Sequence, residues 1–304
     1  MAILLGLHNG RDNLRAQLDS FAAQDHRNWS LHVSDDGEDD GGREIIRDFA
    51  GEQAGRDITV KTGPRQGFAM NFMSLIADTP SRADAVALSD QDDVWLPGKL
   101  SRALQMLQKT DAGIPSLYVG RTIICDAKLR PLRMSPNFTR APDFRNAMVQ
   151  SIGGGNTMVL NRAGVNLVRK VAPDTRQLVA HDWWLYQLVT GVGGAVIFDE
   201  TPMVLYRQHG ANLIGANDNP GASRRRLARI RDGAFQQWIG ICIASMEAAS
   251  PYLTDSAKRV LSQLEQARNG SAVQRIAALR RSGVHRQSRR DDLALYVSAL
   301  LGKL

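Results

Sequence analysis

Residues 82–100 read RADAVALSDQDDVWLPGKL. Small apolar residues alternate around Val86 and Leu88, the pattern of a strand. The run stops at Ser89, and Asp90, Asp92 and Asp93 follow at once. Carboxylates this close repel one another, and burial strengthens the repulsion. Such a turn is either solvated or built to face something positive. Pro97 then marks a helix start, with apolar positions at Leu100, Ala103, Leu104 and Leu107.

The same strand–turn–helix unit recurs upstream. ILLGL, from Ile3, reads as a buried strand, and Leu14, Leu18, Phe21 and Ala22 recur at helical spacing. Trp29, Leu31 and Val33 alternate as in a strand, before a helix carrying Ile45, Ile46 and Phe49. Ile58 and Val60 mark a short strand, and Phe68, Phe72, Leu75 and Ile76 a helix. This βαβαβαβα order predicts an α/β fold: a mostly parallel, doubly wound sheet flanked by helices.

Residues 111–210 are less regular. SLYVGRTIICD and NTMVLNR read as strands and HDWWLYQLVTG as a helix. GAVIFDETPMVLYRQHG reads as two short strands around Pro202, and Pro131–Asn146 as a long loop of the kind that serves a site. From Ala222 the pattern is helical. Leu227, Ile230, Ala234, Trp238, Ile241 and Cys242 form one stripe, and Leu293, Val297, Leu300 and Leu301 another. Thr254 suits a helix cap, and Ser271 with Gln274 a capping box. The predicted division is a domain over 1–215, with halves 1–110 and 111–215, and a basic helical region over 216–304.

With 304 residues and 43% apolar content, the chain has material for a substantial core. Its two cysteines, Cys125 and Cys242, make no disulfide framework, which fits a reducing compartment. No window reaches about 18 uninterrupted apolar residues, and the first apolar run is too short for a signal peptide. The expectation is a cytoplasmic protein, free or peripheral at the inner face of a cell membrane. The charge is uneven: residues 222–304 hold 15 Lys and Arg against 6 Asp and Glu, a net +9, within a whole-chain net of +7. That basic third, with Arg224, Arg225, Arg226, Arg229 and Arg231 clustered, is either a solvated helical face or a surface for an anionic partner such as a membrane.

In open α/β sheets, ligands sit beyond the carboxyl ends of the strands. Two acidic clusters fall there: SDDGEDDGG with Asp35 and Asp36, and SDQDD. Residues two apart share a face in extended chain, so Asp90 and Asp92 point one way and Gln91 and Asp93 the other. Hard oxygen donors without cysteine suit Mg2+ or Mn2+. Two carboxylates are too few for an all-protein cage, but they suit a cation that also holds phosphate and water.

Taken in order, these stretches resemble the family 2 glycosyltransferases of the GT-A fold, especially rhamnosyltransferase-like members. LLGLHNG resembles the opening strand and turn, and QLDSFAAQDHRNWSLHVSDDG the first helix, second strand and base-binding Asp pair. GPRQGFAMNF resembles the Gly-centred loop before a helix, and LSDQDDVWLPGKL the metal-binding motif with its trailing Trp and Lys. GGGNTMVLNR resembles an acceptor-side loop, HDWWL the segment of the catalytic base, and YRQHGANLIG the late His motif. The resemblance covers about residues 2–215.

It implies a GT-A, Rossmann-like fold and an inverting, metal-dependent transfer. Asp35 and Asp36 match the pair at the nucleotide base and ribose; His8, Asn9, Arg65, Gly67 and Gln91 fall on the donor side. Asp90 matches the first Asp of the Asp-x-Asp motif, near the ribose or a metal-bound water. Asp92 matches the metal ligand, His209 a residue at the metal or diphosphate, and Asp182 the general base. Gly155, Asn156, Trp183 and Trp184 fall on the acceptor side. The implied donor is dTDP-rhamnose or a UDP-sugar, and the implied acceptor a cell-surface polysaccharide or its lipid-linked precursor. No nucleic acid is implied, and a homo-oligomer is left open.

His8 stands where Tyr or Phe is usual, Glu38 and Asp39 replace Ser-Thr, and Asn156 replaces a frequent Cys. Alternatives stand beside these roles. Asp182 could be a helix cap, leaving Asp174, Asp199 or His181 as the base. Trp183 and Trp184 could be core, and Arg65 a solvated loop residue. The whole chain could instead be a sugar nucleotidyltransferase or a non-catalytic nucleotide-sugar or glycan-binding module.

Overall fold

Strand β1 (Ala2–Leu7) carries buried side chains on both faces, as a strand must when helices cover both sides of its sheet. In the computed structural model, which describes residues 1–208 and 233–304, β1 is the pivot of the topology. β2 (Ser30–Asp35) pairs with it in parallel, Leu5 opposite Val33, and β3 (Ile58–Thr62) continues outward from β2. β4 (Ala85–Ser89) pairs with the other edge of β1, also in parallel. Helices α1 (Arg11–Ala22), α2 (Gly42–Glu52) and α3 (Phe68–Ala77) make the crossovers.

The second half adds antiparallel strands to this parallel half. β5 (Val94–Trp95) follows β4 directly, before α4 (Lys99–Leu107). Then come β6 (Ser116–Cys125), β7 (Pro131–Met134), α5 (Phe144–Ala147), β8 (Val159–Asn161), α6 (Arg162–Val171), α7 (His181–Gly191) and β9 (Ala195–Arg207). β8 joins β4 and β6 antiparallel, β9 runs parallel to β6, and β5 runs antiparallel to β9. The result is one mixed sheet in the order β3-β2-β1-β4-β8-β6-β9-β5, with β7 on β6. β7 and α5 occupy what reads in sequence as a loop.

Pro202 does not split β9. The register slips between Gly120 and Thr122 of β6, which face Asp199 and Val204. Pro202 lies in that irregularity, where its missing N–H costs no ladder bond.

Alternation along β1 sorts two cores. Ile3, Leu5 and Leu7 meet α1, α2 and α4 on one face; Ala2 and Leu4 meet α3, α6 and α7 on the other. Among the described residues, four further helices extend the second layer: α8 (Ala234–Glu247), α9 (Asp255–Arg268), α10 (Ala272–Ser282) and α11 (Arg289–Leu300). Their core side chains, Ile239, Leu264 and Leu279 among them, belong to the same apolar cluster as Leu4 and Leu88. Thr254 caps α9 by accepting the Ala257 N–H, and Ser271 with Gln274 forms the capping box of α10. The Leu293–Leu301 stripe does not cover the core: α11 buries Leu295, Ser298 and Ala299 and turns the stripe to solvent. Leu227, Ile230 and the Arg224–Arg231 cluster lie outside the described residues.

Candidate active site

The strand order places β1 between β2 and β4, so the β1 exit separates the two acidic exits. This is the switch point of the parallel half, where such sheets form their ligand crevice. His8 and Asn9 lie exposed there. Asn9 adopts a left-handed backbone and accepts the Glu38 N–H at 3.0 Å, tying the β1 exit to the β2 exit. Gln91 ties it to the β4 exit: its Oε1 accepts the His8 N–H at 2.7 Å and its amide donates to the His8 carbonyl at 2.9 Å. Gln91 therefore acts as a brace with both ends engaged.

On the β2 side, Asp35 and Asp36 are both buried. Asp35 accepts from Arg43 Nε at 2.6 Å and from the Gly37 N–H at 3.2 Å. Asp36 accepts the Arg65 N–H, which holds the 63–67 loop over the β2 exit. Arg65 is left-handed and its side chain exposed; Gly67, at φ 87°, opens α3.

At the β4 exit the carboxylates act on one another. Asp90, Gln91 and Asp92 are all partly exposed and Asp93 alone is fully buried, so burial does not follow the two-residue alternation read from sequence. Burial lifts the Asp90 carboxyl well above the usual range, and Asp93, Asp92 and Asp182 add repulsion. Asp93 is pushed up to about 7, by burial first and Asp92 second. It accepts the Asn156 amide and, at 3.1 Å, the Arg207 N–H. Arg207 in turn donates its guanidinium to the Asp92 carbonyl at 2.8 Å and the Ala127 carbonyl at 2.6 Å, fixing the backbone under Asp92.

Asp182 enters this cluster from α7. Ala180 is the N-cap of that helix, so Asp182 is not its cap. Its Oδ1 accepts the Trp183 N–H at 2.6 Å and its Oδ2 the Gly155 N–H at 3.2 Å. Burial raises its pKa to about 6 against the pull of those N–H groups. The alternative bases are otherwise engaged or displaced. Asp199 is held by Arg102 and by the Tyr118 hydroxyl at 2.8 Å. His181 is buried, stacked on Phe72 with ring centroids 4.1 Å apart, and burial lowers its pKa to about 3. Asp174 sits in the short helical turn after α6.

The fit to a divalent cation is that of an incomplete cage. Asp90 and Asp92 offer hard oxygen donors where negative charge accumulates, which suits a cation bringing phosphate and water as further ligands. Among the described residues, no three or more acidic, His or Cys groups form a complete protein cage. His209 lies outside the described residues.

A model of the family described as "Glycosyl transferase family 2" matches residues 3–163. The chain belongs to that family. It is similar to the dTDP-rhamnosyl transferase RfbG of Shigella flexneri, at 26% identity over 247 residues, covering 77% of this chain and 82% of the relative. Its structure resembles S. aureus TarS 1–349 in complex with UDP, at TM-score 0.56 and 12% identity, covering 99% of this chain and 88% of the other. It also resembles GalNAc-T7 with UDP, GalNAc and Mn2+, at TM-score 0.50 and 12% identity, over 65% of this chain and 41% of that one. The fold is GT-A, and the protein is a glycosyltransferase.

Two expectations for the acceptor side of this glycosyltransferase change with the structure. Trp183 and Trp184 are core: Trp184 is 1% exposed, and Trp183 donates its indole N–H to the Ala147 carbonyl at 2.6 Å. α7 is buried on nearly every side from Trp183 to Val189, so its tryptophans have no free face to offer. Asn156 spends its amide on Asp93, while Gly155 reaches Asp182 through its backbone. Sequence reasoning missed Arg207, and it missed the supporting roles of His181 and Lys99. The Lys99 ammonium is buried 3.6 Å over the Trp95 ring and drawn toward Asp93, yet burial lowers its pKa to about 7. A lysine trailing an acidic motif is the one available signal.

Proposed function

We propose that this glycosyltransferase is an inverting enzyme using a nucleotide-diphosphate sugar, with dTDP-rhamnose the first candidate donor and a UDP-sugar the second. The observation that carries the reading is the link between Asp182 and the acidic turn: Gly155 donates its N–H to Asp182 while the next residue, Asn156, donates its amide to Asp93. The acceptor hydroxyl gives its proton to Asp182 as its oxygen bonds the anomeric carbon. The bond to the diphosphate breaks on the opposite face, and its electron pair leaves with the diphosphate. A carboxylate with a pKa near 6 is ionised at neutral pH and basic enough to assist. Asp92, with Asp90, would hold Mg2+ or Mn2+, which neutralises charge on the diphosphate leaving group when bound.

Asp35 and Asp36 shape the nucleotide side, with His8, Asn9 and the Arg65–Gly67 loop around it. Gly155 and the helix start at Asp182 face the acceptor, a polysaccharide or lipid-linked precursor met at the inner face of the membrane. The dTDP-rhamnosyl relative supports the donor ranking, and membership of the family sets the nucleotidyltransferase and non-catalytic readings aside. A thermal-shift screen of nucleotide sugars with and without Mn2+ is the test. Stabilisation by dTDP-rhamnose over UDP-sugars, only with the cation, is expected. Stabilisation by neither donor class would reject the reading.

A further inference from the structure

The exposed stripe of α11 is apolar and, among the described residues, turned to solvent. Leu293 is 65% exposed and Leu301 61%, and Val273 on the neighbouring α10 is 79% exposed. Between the two helices runs an open groove of about 740 Å3, lined by Val273, Ile276, Leu300 and, at its edge, Arg280 and Arg281. Arg289 and Arg290 stand exposed at the start of α11. From Ala272 to Leu304 there are seven Arg and Lys and two Asp. Asp292 is engaged by Arg140 and by the Arg286 N–H, and Asp291 by Ser288. The face therefore presents leucine and valine rimmed by arginine.

We infer that the α10–α11 face docks on an anionic lipid surface. Apolar side chains enter the boundary between headgroups and acyl chains, and arginines meet the lipid phosphates; both attractions act together on such a surface. A second copy of the chain is the poorer occupant. A two-fold contact would press one arginine-rimmed face against another, and like charges oppose the burial.

The face is rigidly built. Arg275 donates to the carbonyls of Gly270, Ala299 and Leu300 at 2.7, 2.6 and 2.8 Å, locking the end of α11 onto α10. It is also joined to the site. The Asn146 amide donates to the His285 carbonyl at 2.9 Å, and the Gln287 N–H to Gln150 at 2.8 Å. In the same segment, Ala147 accepts the indole N–H of Trp183, the neighbour of Asp182. Docking thus sets the orientation of the acceptor side, and it gives a surface to the membrane location proposed above.

The test reads lipid alone, so failure of the donor reading leaves it standing. The full chain is sedimented with vesicles of phosphatidylglycerol and phosphatidylcholine, and with phosphatidylcholine alone, at low and high salt. Binding to the anionic vesicles is expected, weakening with salt. Arg280→Gln with Arg281→Gln should weaken it roughly 30-fold, about fivefold for each arginine. Val273→Asp with Leu300→Asp and Leu301→Asp should remove it, with the melting temperature and the rate of nucleotide release unchanged. Equal binding to neutral vesicles, or parental binding by the triple variant, would overturn the inference; the latter assigns the attraction to the 224–231 arginines. A dimer that the triple variant dissolves, in a chain that ignores lipid, overturns it in favour of self-association.

Discussion

Gly155 donates its backbone N–H to Asp182 at 3.2 Å, and the imidazole of His181 occupies the space where a Gly155 side chain would stand. A Cβ added there would lie 2.3 Å from His181 Nε2. The ring has no room to retreat, because it is buried against Phe72. Gly155→Ala should therefore cost about 1–3 kcal/mol, the usual range for overpacking a dense interior. It should also shift Asp182, lowering kcat. Denaturant midpoints and turnover measured together check this; a variant matching the parent in both would show that the loop yields freely.

Asn156 supports the site rather than reading the acceptor. Its amide is a principal neutral donor to the buried carboxyl of Asp93. Asn156→Ala leaves that oxygen without its partner, and an orphaned buried group costs about 1–3 kcal/mol. The expected result is a lower melting temperature with acceptor KM nearly unchanged. A selective rise in acceptor KM at parental stability would restore Asn156 to the acceptor.

How much of this could be read beforehand differs by element. The parallel half was legible because apolar alternation and helical spacing are local signals: Leu31 and Val33, or Phe72 and Ile76, announce their elements unaided. The strand order was not, since nothing in SDDG or SDQDD says that β1 runs between them. β5 has two residues, too few for any period to register, whereas the three residues of β8 lie within NTMVLNR, which reads as a strand. HDWWL singles out Asp182 as a candidate base. Its support by Gly155, and the Asp93–Arg207 bond across 114 residues, depend on tertiary contacts that no window of sequence contains. The α11 stripe shows the converse: its period was plain, but which side it faced was not.

A cation should steady the acidic cluster, most at higher pH. Asp182 and Asp93 have folded-state pKa values raised to about 6 and about 7. Groups raised in this way hold protons more tightly when folded, so their contribution is present at low pH and lost as pH rises through those values. With chelator present, the melting temperature should therefore fall between about pH 5 and about pH 7.5. Saturating Mn2+ at 100 times its Kd would return ~2.7 kcal/mol. Asp92→Asn should abolish that gain. A cation effect equal at both ends of the pH range would separate metal binding from this cluster.

The pH dependence of transfer should carry the same group. Asp182 accepts a proton only when ionised, so kcat/KM should rise through about pH 6 and level above it. A bound cation favours the ionised form and moves this limb downward, never upward. A rate that falls across this range as pH increases would contradict a carboxylate base.

Asp182→Asn is the sharpest test of the mechanism. The residue serves two backbone donors, one through each oxygen, and Asn keeps one acceptor while turning an NH2 toward the other. A modest stability loss of about 1 kcal/mol follows from that single mismatch. The chemical loss should be much larger. A sugar hydroxyl is a poor nucleophile until its proton is taken, and general-base assistance is worth ~10²–10⁴-fold. Donor affinity should hold, because the nucleotide side rests on Asp35, Asp36 and the β1 exit. The expected pattern is turnover reduced by that factor at near-parental donor Kd, with the pH limb near 6 gone. Turnover within about threefold of the parent, far short of the general-base range, would remove Asp182 from the chemistry. Neither Asp199 nor His181 could then take its place without movement, since one is bound by Arg102 and Tyr118 and the other is sealed beneath Gly155.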